Sequence, residues 1–343
     1  MIEKVMKKPY KTDVAVLLLF FTRSDTFQKV FDAVREARPS RLFLYQDGPR
    51  DAHDIAGIEA CRQIACDENI DWECEVYRNY QEYNQGCDPS GFLSHRWAFS
   101  LADKCIVLED DVVPSQSFFP FCKEMLDRYE HDERITMIAG FNTDEVTTDI
   151  PYDYFFTRAF SIWGWASWSR VVNNWDGGYS FVKDQEMFSK LCCKVEQYHQ
   201  RNDMLAMCQW HANSGRQYFE SIFWSYMLLH DGLAIMPSKN MINNIGMNEG
   251  THYSTQLDLM PKRLRRIFTM KRHEIDFPLR HPSELKEYPD YQQRYYLVNA
   301  WNNPWRKVQY SLEELWLSIR RGNFRNISSS LSRRIGKWMG RYA

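Results

Sequence analysis

Apolar residues along this chain fall first into short unbroken runs and only later into helical stripes. Val14–Phe21 is apolar throughout and ends at Thr22-Arg23-Ser24-Asp25. That pattern predicts a buried strand, then a helix to about Ala37 capped by Ser24 or Asp25, with Phe27, Val30, Phe31 and Val34 on one face. Pro39 stops it. Arg41–Gln46 predicts a second strand closed by the turn signal Asp47-Gly48-Pro49. A helix over roughly Asp51–Cys66 and a third strand near Trp72–Arg78 follow, then a polar loop, Asn79–Ser90, and a helix over Phe92–Leu101.

The fourth strand is the run Cys105–Leu108, and three consecutive carboxylates, Glu109, Asp110 and Asp111, end it. An unpaired carboxylate is too costly to leave in an apolar interior, so the strand must surface at Glu109. The alternation of strand and helix predicts an α/β fold, a mainly parallel mixed sheet covered on both faces. Right-handed crossovers then put the loops at Arg23, Asp47 and Glu109 on one rim, the carboxyl edge where open α/β sheets bind ligands.

Further on, Ser115 or Ser117 opens a helix carrying Phe118, Phe119, Cys122 and Leu126, and Ile135–Ala139 and Tyr154–Phe160 read as strands. Helix is expected around Gln185–Gln200 and over Glu220–His230, and a short strand over Leu233–Pro237. From Met260 the chain turns charged and Pro-punctuated, as a segment wrapping the body would. Three regions result: 1–260, a sheet domain; 261–304, the wrapping segment; and 305–343, a basic helical tail. In that tail Val308, Leu312, Leu315, Trp316 and Ile319 form one apolar stripe and Phe324, Ile327, Leu331, Ile335, Trp338 and Met339 another.

Charge changes the picture of that tail. The formal net charge of −2 conceals nine Lys/Arg against two Glu from Trp305 onward, and 34 bases against 43 acids elsewhere. An apolar face with Trp, edged by Arg and Lys, suits an anionic membrane surface, or a helix packed on protein. Val14–Phe21 is too short to span a bilayer and is followed by no cleavage site, so it predicts no signal peptide. Nine cysteines, an odd number without a CxxC, argue against a disulfide framework and for a reducing compartment. The expected location is cytoplasmic, peripheral on the inner face of the cell membrane. Nothing points to nucleic acid, because the bases gather on an amphipathic helix.

Candidate chemistry starts from the acids. Adjacent carboxylates at a strand end repel one another, and Mg²⁺ or Mn²⁺ relieves this, with diphosphate oxygens completing the shell. Aromatic content of 15%, including 12 Trp, suits carbohydrate stacking as well as a large aromatic core. Core packing is the commoner fate of a Trp, surface solvation that of a helix-start Arg, and turn formation that of an Asp in Asp47-Gly48.

These residues also form an ordered series. Arg23-Ser24, Arg38-Pro39-Ser40, Gln46-Asp47, Arg96-Trp97-Ala98, Glu109-Asp110-Asp111 with Phe118-Phe119, Trp163-Gly164-Trp165, Phe219-Glu220 and Gly250-Thr251-His252 follow one another between Val14 and Tyr253. In this the chain resembles GT-A-fold nucleotide-sugar glycosyltransferases, most closely the N-acetylglucosaminyltransferase I-like group and its bacterial relatives. The resemblance implies that Arg23 and Asp47 hold the nucleoside of a UDP-sugar. It implies that Glu109 and Asp110 face sugar and ribose and that Asp111 ligates Mn²⁺ or Mg²⁺. Glu220 matches the catalytic base, with Asp144 and Asp231 as alternatives, since the family usually has Asp in a Trp-Asp context. His95 beside Arg96-Trp97 and Thr251 fall on the nucleotide side, and Trp165 is expected to line the acceptor cleft.

The combined reading is an inverting, metal-dependent glycosyltransferase moving a sugar from a UDP-sugar, with UDP-GlcNAc the first donor to consider, to a surface-polysaccharide or lipid-linked glycan acceptor. Two rivals stand beside it. A sugar nucleotidylyltransferase would want a Gly-rich first loop, and Val14–Asp25 contains no glycine. A non-catalytic glycan- or nucleotide-binding module would tolerate loss of Asp111.

Overall fold

The computed structural model describes residues 7–248 and 257–323. Gly250-Thr251-His252 and the stripe from Phe324 onward lie outside the described residues, so the expectations for Thr251 and for the basic end of the tail are neither met nor refused.

The first half is regular. Strand β1 (Thr12–Phe20), helix α1 (Ser24–Ala37), β2 (Pro39–Gln46), α2 (Ile55–Ile64), β3 (Glu75–Tyr80), α3 (Cys87–Leu101) and β4 (Lys104–Glu109) follow the predicted alternation. α1 buries Phe27, Val30, Phe31 and Val34, as its apolar stripe requires. Neither Ser24 nor Asp25 caps it: Arg23 holds the cap position, and a guanidinium has no acceptor to offer the helix N–H groups.

A short β5 (Val112–Pro114) precedes α4 (Phe118–Arg128), β6 (Ile135–Ala139), β7 (Tyr154–Thr157) and β8 (Trp165–Trp168). Next come α5 (Ser169–Val172), α6 (Ser180–Lys183), α7 (Gln185–Lys194) and α8 (Tyr198–Ser214). The single helix expected around Gln185–Gln200 is therefore two, the second started afresh after Val195. Helix α9 (Phe219–Leu229), β9 (Leu233–Pro237) and β10 (Ile242–Asn244) complete the sheet domain, and α10 (Lys262–Thr269), α11 (Pro289–Val298) and α12 (Pro304–Arg320) follow.

Eight strands form one sheet in the order β3-β2-β1-β4-β8-β6-β9-β7. β3, β2, β1 and β4 are parallel, β8 is antiparallel between β4 and β6, β9 is parallel to β6, and β7 runs antiparallel at the far edge. This is the mixed, mainly parallel, Rossmann-like α/β sheet that the alternation predicts. Register places Leu19 beside Glu109 and Phe20 beside Gln46, so the chain leaves β1, β2 and β4 side by side on one rim.

A separate two-stranded ribbon pairs β10 with β5, Asn243 opposite Val113. It carries the chain after β10 back across the acidic rim. Beyond α10, Met270, Ile275 and Leu279 join the main core, and the Tyr288 amide donates to Phe156 O on edge strand β7. Pairing or covering an edge strand in this way removes an aggregation template.

Candidate active site

The acidic rim starts from a buried strand. Cys105–Leu108 of β4 has no appreciable exposure, and Asp110 and Asp111 immediately after it are still only 5% exposed. Carboxylates so placed need partners. Arg23, leaving β1 next door, supplies them: one terminal nitrogen meets Asp110, and the other lies 2.9 Å from Asp111 Oδ2. Burial pulls the Arg23 guanidinium down, but the two carboxylates more than offset this and hold it above its ordinary value. The resemblance implies a nucleoside contact for Arg23; in this structure its guanidinium is paired with the two acids.

One cation does not satisfy this cluster. Burial, opposed by Arg23 and reinforced by Asp111, pushes Asp110 up to about 6. Burial, and then the charges of Asp111, Glu220 and Asp110, raise Glu109 well above the ordinary carboxyl range. Asp111 Oδ1 is buried without a hydrogen-bond partner. An orphaned, buried carboxylate oxygen in an acid-rich site is the donor that a hard divalent cation takes.

Among the described residues no group of three or more His, Cys, Asp or Glu is arranged as a ready-made metal cage. Mg²⁺ is usually held through one or two carboxylates with substrate phosphates and water supplying the rest, and Asp111 Oδ1 is a carboxylate oxygen left free for such a cation.

The ribbon β5–β10 borders this site closely. Ile245 N donates to Asp111 O at 2.8 Å, and Gly246 follows. A Cβ on Gly246 would fall 1.9 Å from Asp111 Oδ2 and 2.9 Å from Arg23 Nη1, so only glycine fits against the acids. Gly164 serves the same ribbon from behind: at φ +62° its missing Cβ makes room for Ile242. Its close neighbour is a side chain, not a ligand.

Glu220 sits in the first turn of α9, and burial pushes its carboxyl up to about 7. It reaches the rim because α3 and α9 pack tightly. Gly91 of α3 leaves the space that Phe219 fills, since a Cβ there would lie 2.8 Å from the Phe219 ring. The start of α3 is thereby drawn in as well. Cys87 feels Glu109, Asp88, Glu220 and Asp110, and Asp88 adds to the upward push on Glu220. Asp88 and Gly91 carry no functional signal in the sequence, and Gly246 reads there only as part of the loop after Asn243-Asn244-Ile245.

Asp47 is on the expected rim but is fully engaged. Its Oδ1 accepts from Gly48 N and Gln85 N, and its Oδ2 from Gly86 N and the Asn84 side-chain amide, at 2.8–3.0 Å. A carboxylate has about four acceptor positions, and all are used within the protein. Asp47 thus shapes the loop before α3 and has no free acceptor for a nucleoside.

His95 and Trp165 differ further from expectation. His95 is fully buried among Trp165, Trp175 and Phe219, and burial pushes its imidazole down to about 3. Trp165 is 1% exposed and packs on Phe99, Trp175 and Phe223. Both belong to an aromatic core under α3 and α9, and Trp165 lines no open cleft. The apolar surroundings of two large rings outweigh any polar role there.

Of the alternative bases, Asp144 follows β6 toward the correct rim, but its carboxylate takes Arg294 Nε at 2.8 Å and Thr147 Oγ1 at 3.2 Å. Asp231 precedes β9, which runs parallel to β4 through β8 and β6, and so lies on the opposite rim, paired with Lys194. The structure brings together Arg23, Glu109, Asp110, Asp111 and Glu220, and leaves Asp231 apart.

No family model matches the chain, and no curated protein matches it. Solved structures do. Mouse Xyloside xylosyltransferase 1 in its apo form is 10% identical over 63% of this chain and 81% of that one, with a TM-score of 0.34. A UDP-glucose pyrophosphorylase complexed with UDP-glucose is 8% identical over 68% and 94%, with a TM-score of 0.34. The apo glycosyltransferase GlyE of Streptococcus pneumoniae TIGR4 is 8% identical over 63% and 43%, with a TM-score of 0.31.

Proposed function

We propose that the chain is an inverting, metal-dependent glycosyltransferase that moves a sugar from a UDP-sugar to a surface-polysaccharide or lipid-linked glycan. The observation that carries this reading is the pairing of two unlike carboxyl environments at one rim. Asp111, with one oxygen against Arg23 and the other unpartnered, is set to bind a cation, while Glu220, raised by burial to about 7, is set to take a proton.

Asp111 would hold Mn²⁺ or Mg²⁺ together with the donor diphosphate, and the metal would supply Lewis-acid stabilisation of the departing UDP. Arg23 adds fixed positive charge beside the same carboxylates. Asp110, oriented by Arg23 and by Phe21 N, faces the ribose side, and Glu109, its carboxyl raised by burial and by the neighbouring acids, faces the sugar. Glu220 removes the acceptor hydroxyl proton from the face of the sugar opposite the diphosphate, the geometry inversion demands. The resemblance to the N-acetylglucosaminyltransferase I-like group rests on the ordered motifs alone, and it makes UDP-GlcNAc the first donor to test. Offered a panel of nucleotide sugars, the protein is expected to release UDP from a UDP-sugar in the presence of Mn²⁺, and EDTA is expected to stop it. Diphosphate release from a nucleoside triphosphate and a sugar phosphate would instead favour nucleotidyl transfer.

The proposed address is the inner face of the cell membrane. Among the described residues no helix is long and apolar enough to cross a bilayer. α12, however, exposes the whole stripe expected of it, with Leu312 60%, Trp316 55% and Ile319 55% exposed. Basic α10, Lys262–Thr269, is held beside it through Lys262 N on Glu313. An apolar face flanked by bases fits anionic lipid. Replacing Leu312, Trp316 and Ile319 with serine should cut co-sedimentation with phosphatidylserine vesicles at low salt by about tenfold, with UDP binding unchanged. Equal sedimentation of the two proteins would remove the lipid assignment.

A further inference from the structure

The opposite rim holds a second polar site. Between α9, α7, α8 and α11 lies a cavity of about 100 Å³ lined by Arg158, Lys194, Gln200, Trp224, Glu287 and Tyr296. That is well above the roughly 10–15 Å³ a single water needs. Gln200 is 8% exposed, and its Oε1 is buried without a partner. Glu287 Oε1 is likewise buried and unpartnered, while its other oxygen stands 3.5 Å from Arg158 Nε in an ion pair. Buried polar groups are nearly always paired in a folded protein, so two orphaned oxygens lining one cavity point to a missing donor. Together they present two acceptors.

The chemistry of the lining selects the ligand. Arg158 pairs with Glu287 and Lys194 with Asp231, and Glu196 is exposed, so the cavity favours neither an anion nor a cation. Trp224 and Tyr296 add ring surface beside the polar atoms. Unpaired acceptors next to indole and phenol faces match a neutral ring bearing hydroxyls. We infer that this cavity is a saccharide-binding site for one neutral sugar residue, separate from the acidic rim. Trp224 and Leu228 lie about 6 and 12 Å along α9 from Glu220, at 1.5 Å per residue. The two sites therefore share a helix without sharing a ligand position. The inference goes beyond the glycosyltransferase reading and stands or falls without it.

The test is titration of the whole chain with maltotetraose, cellotetraose and tetra-N-acetylchitotetraose, read by calorimetry, with inorganic phosphate alongside. At least one oligosaccharide is expected to bind with a Kd on the order of 1 mM, a typical weak-ligand affinity. Gln200→Leu and Glu287→Gln, which keep volume but change hydrogen bonding, should each weaken it about tenfold, as loss of one buried bond implies. UDP binding should be unchanged in both, and Glu220→Gln should leave the sugar affinity intact. No binding of any oligosaccharide at 20-fold that concentration, affinities indifferent to both substitutions, or saturable phosphate binding lost in these variants would each overturn the site. If only one of the two variants folds, that variant alone decides.

Discussion

Asp111→Ala is expected to abolish Mn²⁺-stimulated UDP release, with a loss of about 10³-fold or more. Lewis-acid stabilisation of a phosphoryl leaving group is worth several kcal/mol, and each 1.4 kcal/mol is tenfold in rate. Fold should survive, because Arg23 keeps Asp110 as a partner when Asp111 is removed. Far-UV circular dichroism checks this. The sharper readout is metal dependence: the residual rate of the variant should be the same with Mn²⁺ and with EDTA, whereas the wild-type rate differs by the full factor. A variant whose rate still climbs with Mn²⁺ as steeply as wild type would take the metal away from Asp111.

The second large effect belongs to Glu220. Glu220→Gln keeps size and burial but cannot accept a proton, so sugar transfer should fall by about 10²–10⁴-fold while donor KM stays level. A base works only when deprotonated, and burial pushes Glu220 up to about 7. Wild-type transfer should therefore rise with pH through about 7 and then level off, and the variant should lack that limb.

Stability moves the other way, and the sign can be followed directly. A carboxyl whose folded value is raised binds its proton more tightly folded than unfolded. Its effect is absent below the ordinary Glu range near 4.5, and stability is lost as pH climbs from there through about 7. The glutamine variant escapes this loss, so its Tm should exceed that of wild type at pH 8 and match it near pH 4. An inactive variant that is also more stable at pH 8 is one that has lost a base, not its fold. A Tm lower at both pH values would point to a structural role for Glu220.

What was legible in the sequence were features set by neighbours in the chain. Ile135–Ala139 and Leu233–Pro237 are strands as expected because an apolar run bounded by breakers has few other fates. The rim followed from the order of strand and helix alone. The acids were visible because they are consecutive, and Glu220 because it opens an apolar helix.

Roles decided by packing or by the fate of each lone pair were not legible. Asp47 reads as a ligand residue until four donors from its own loop are found on it. His95 and Trp165 look functional in a list of residue types but are walled in by aromatic rings contributed by α3, α9 and the segment after α5. Strands β5 and β10 are three residues each, below the length at which periodicity means anything, yet they decide what stands over Asp111.

That small ribbon has a mechanical meaning. Asn243 in β10 reaches out with its side-chain amide to Met270 O, the residue next to the end of α10, and on its other side β10 leads through Ile245 to the Asp111 carbonyl. The end of α10 is thus joined to the backbone of Asp111 through the hydrogen bonds of Asn243 and Ile245. With α10 and α12 seated on lipid, as proposed, the membrane-facing helices and the acidic rim would be tied to one another by this three-residue strand.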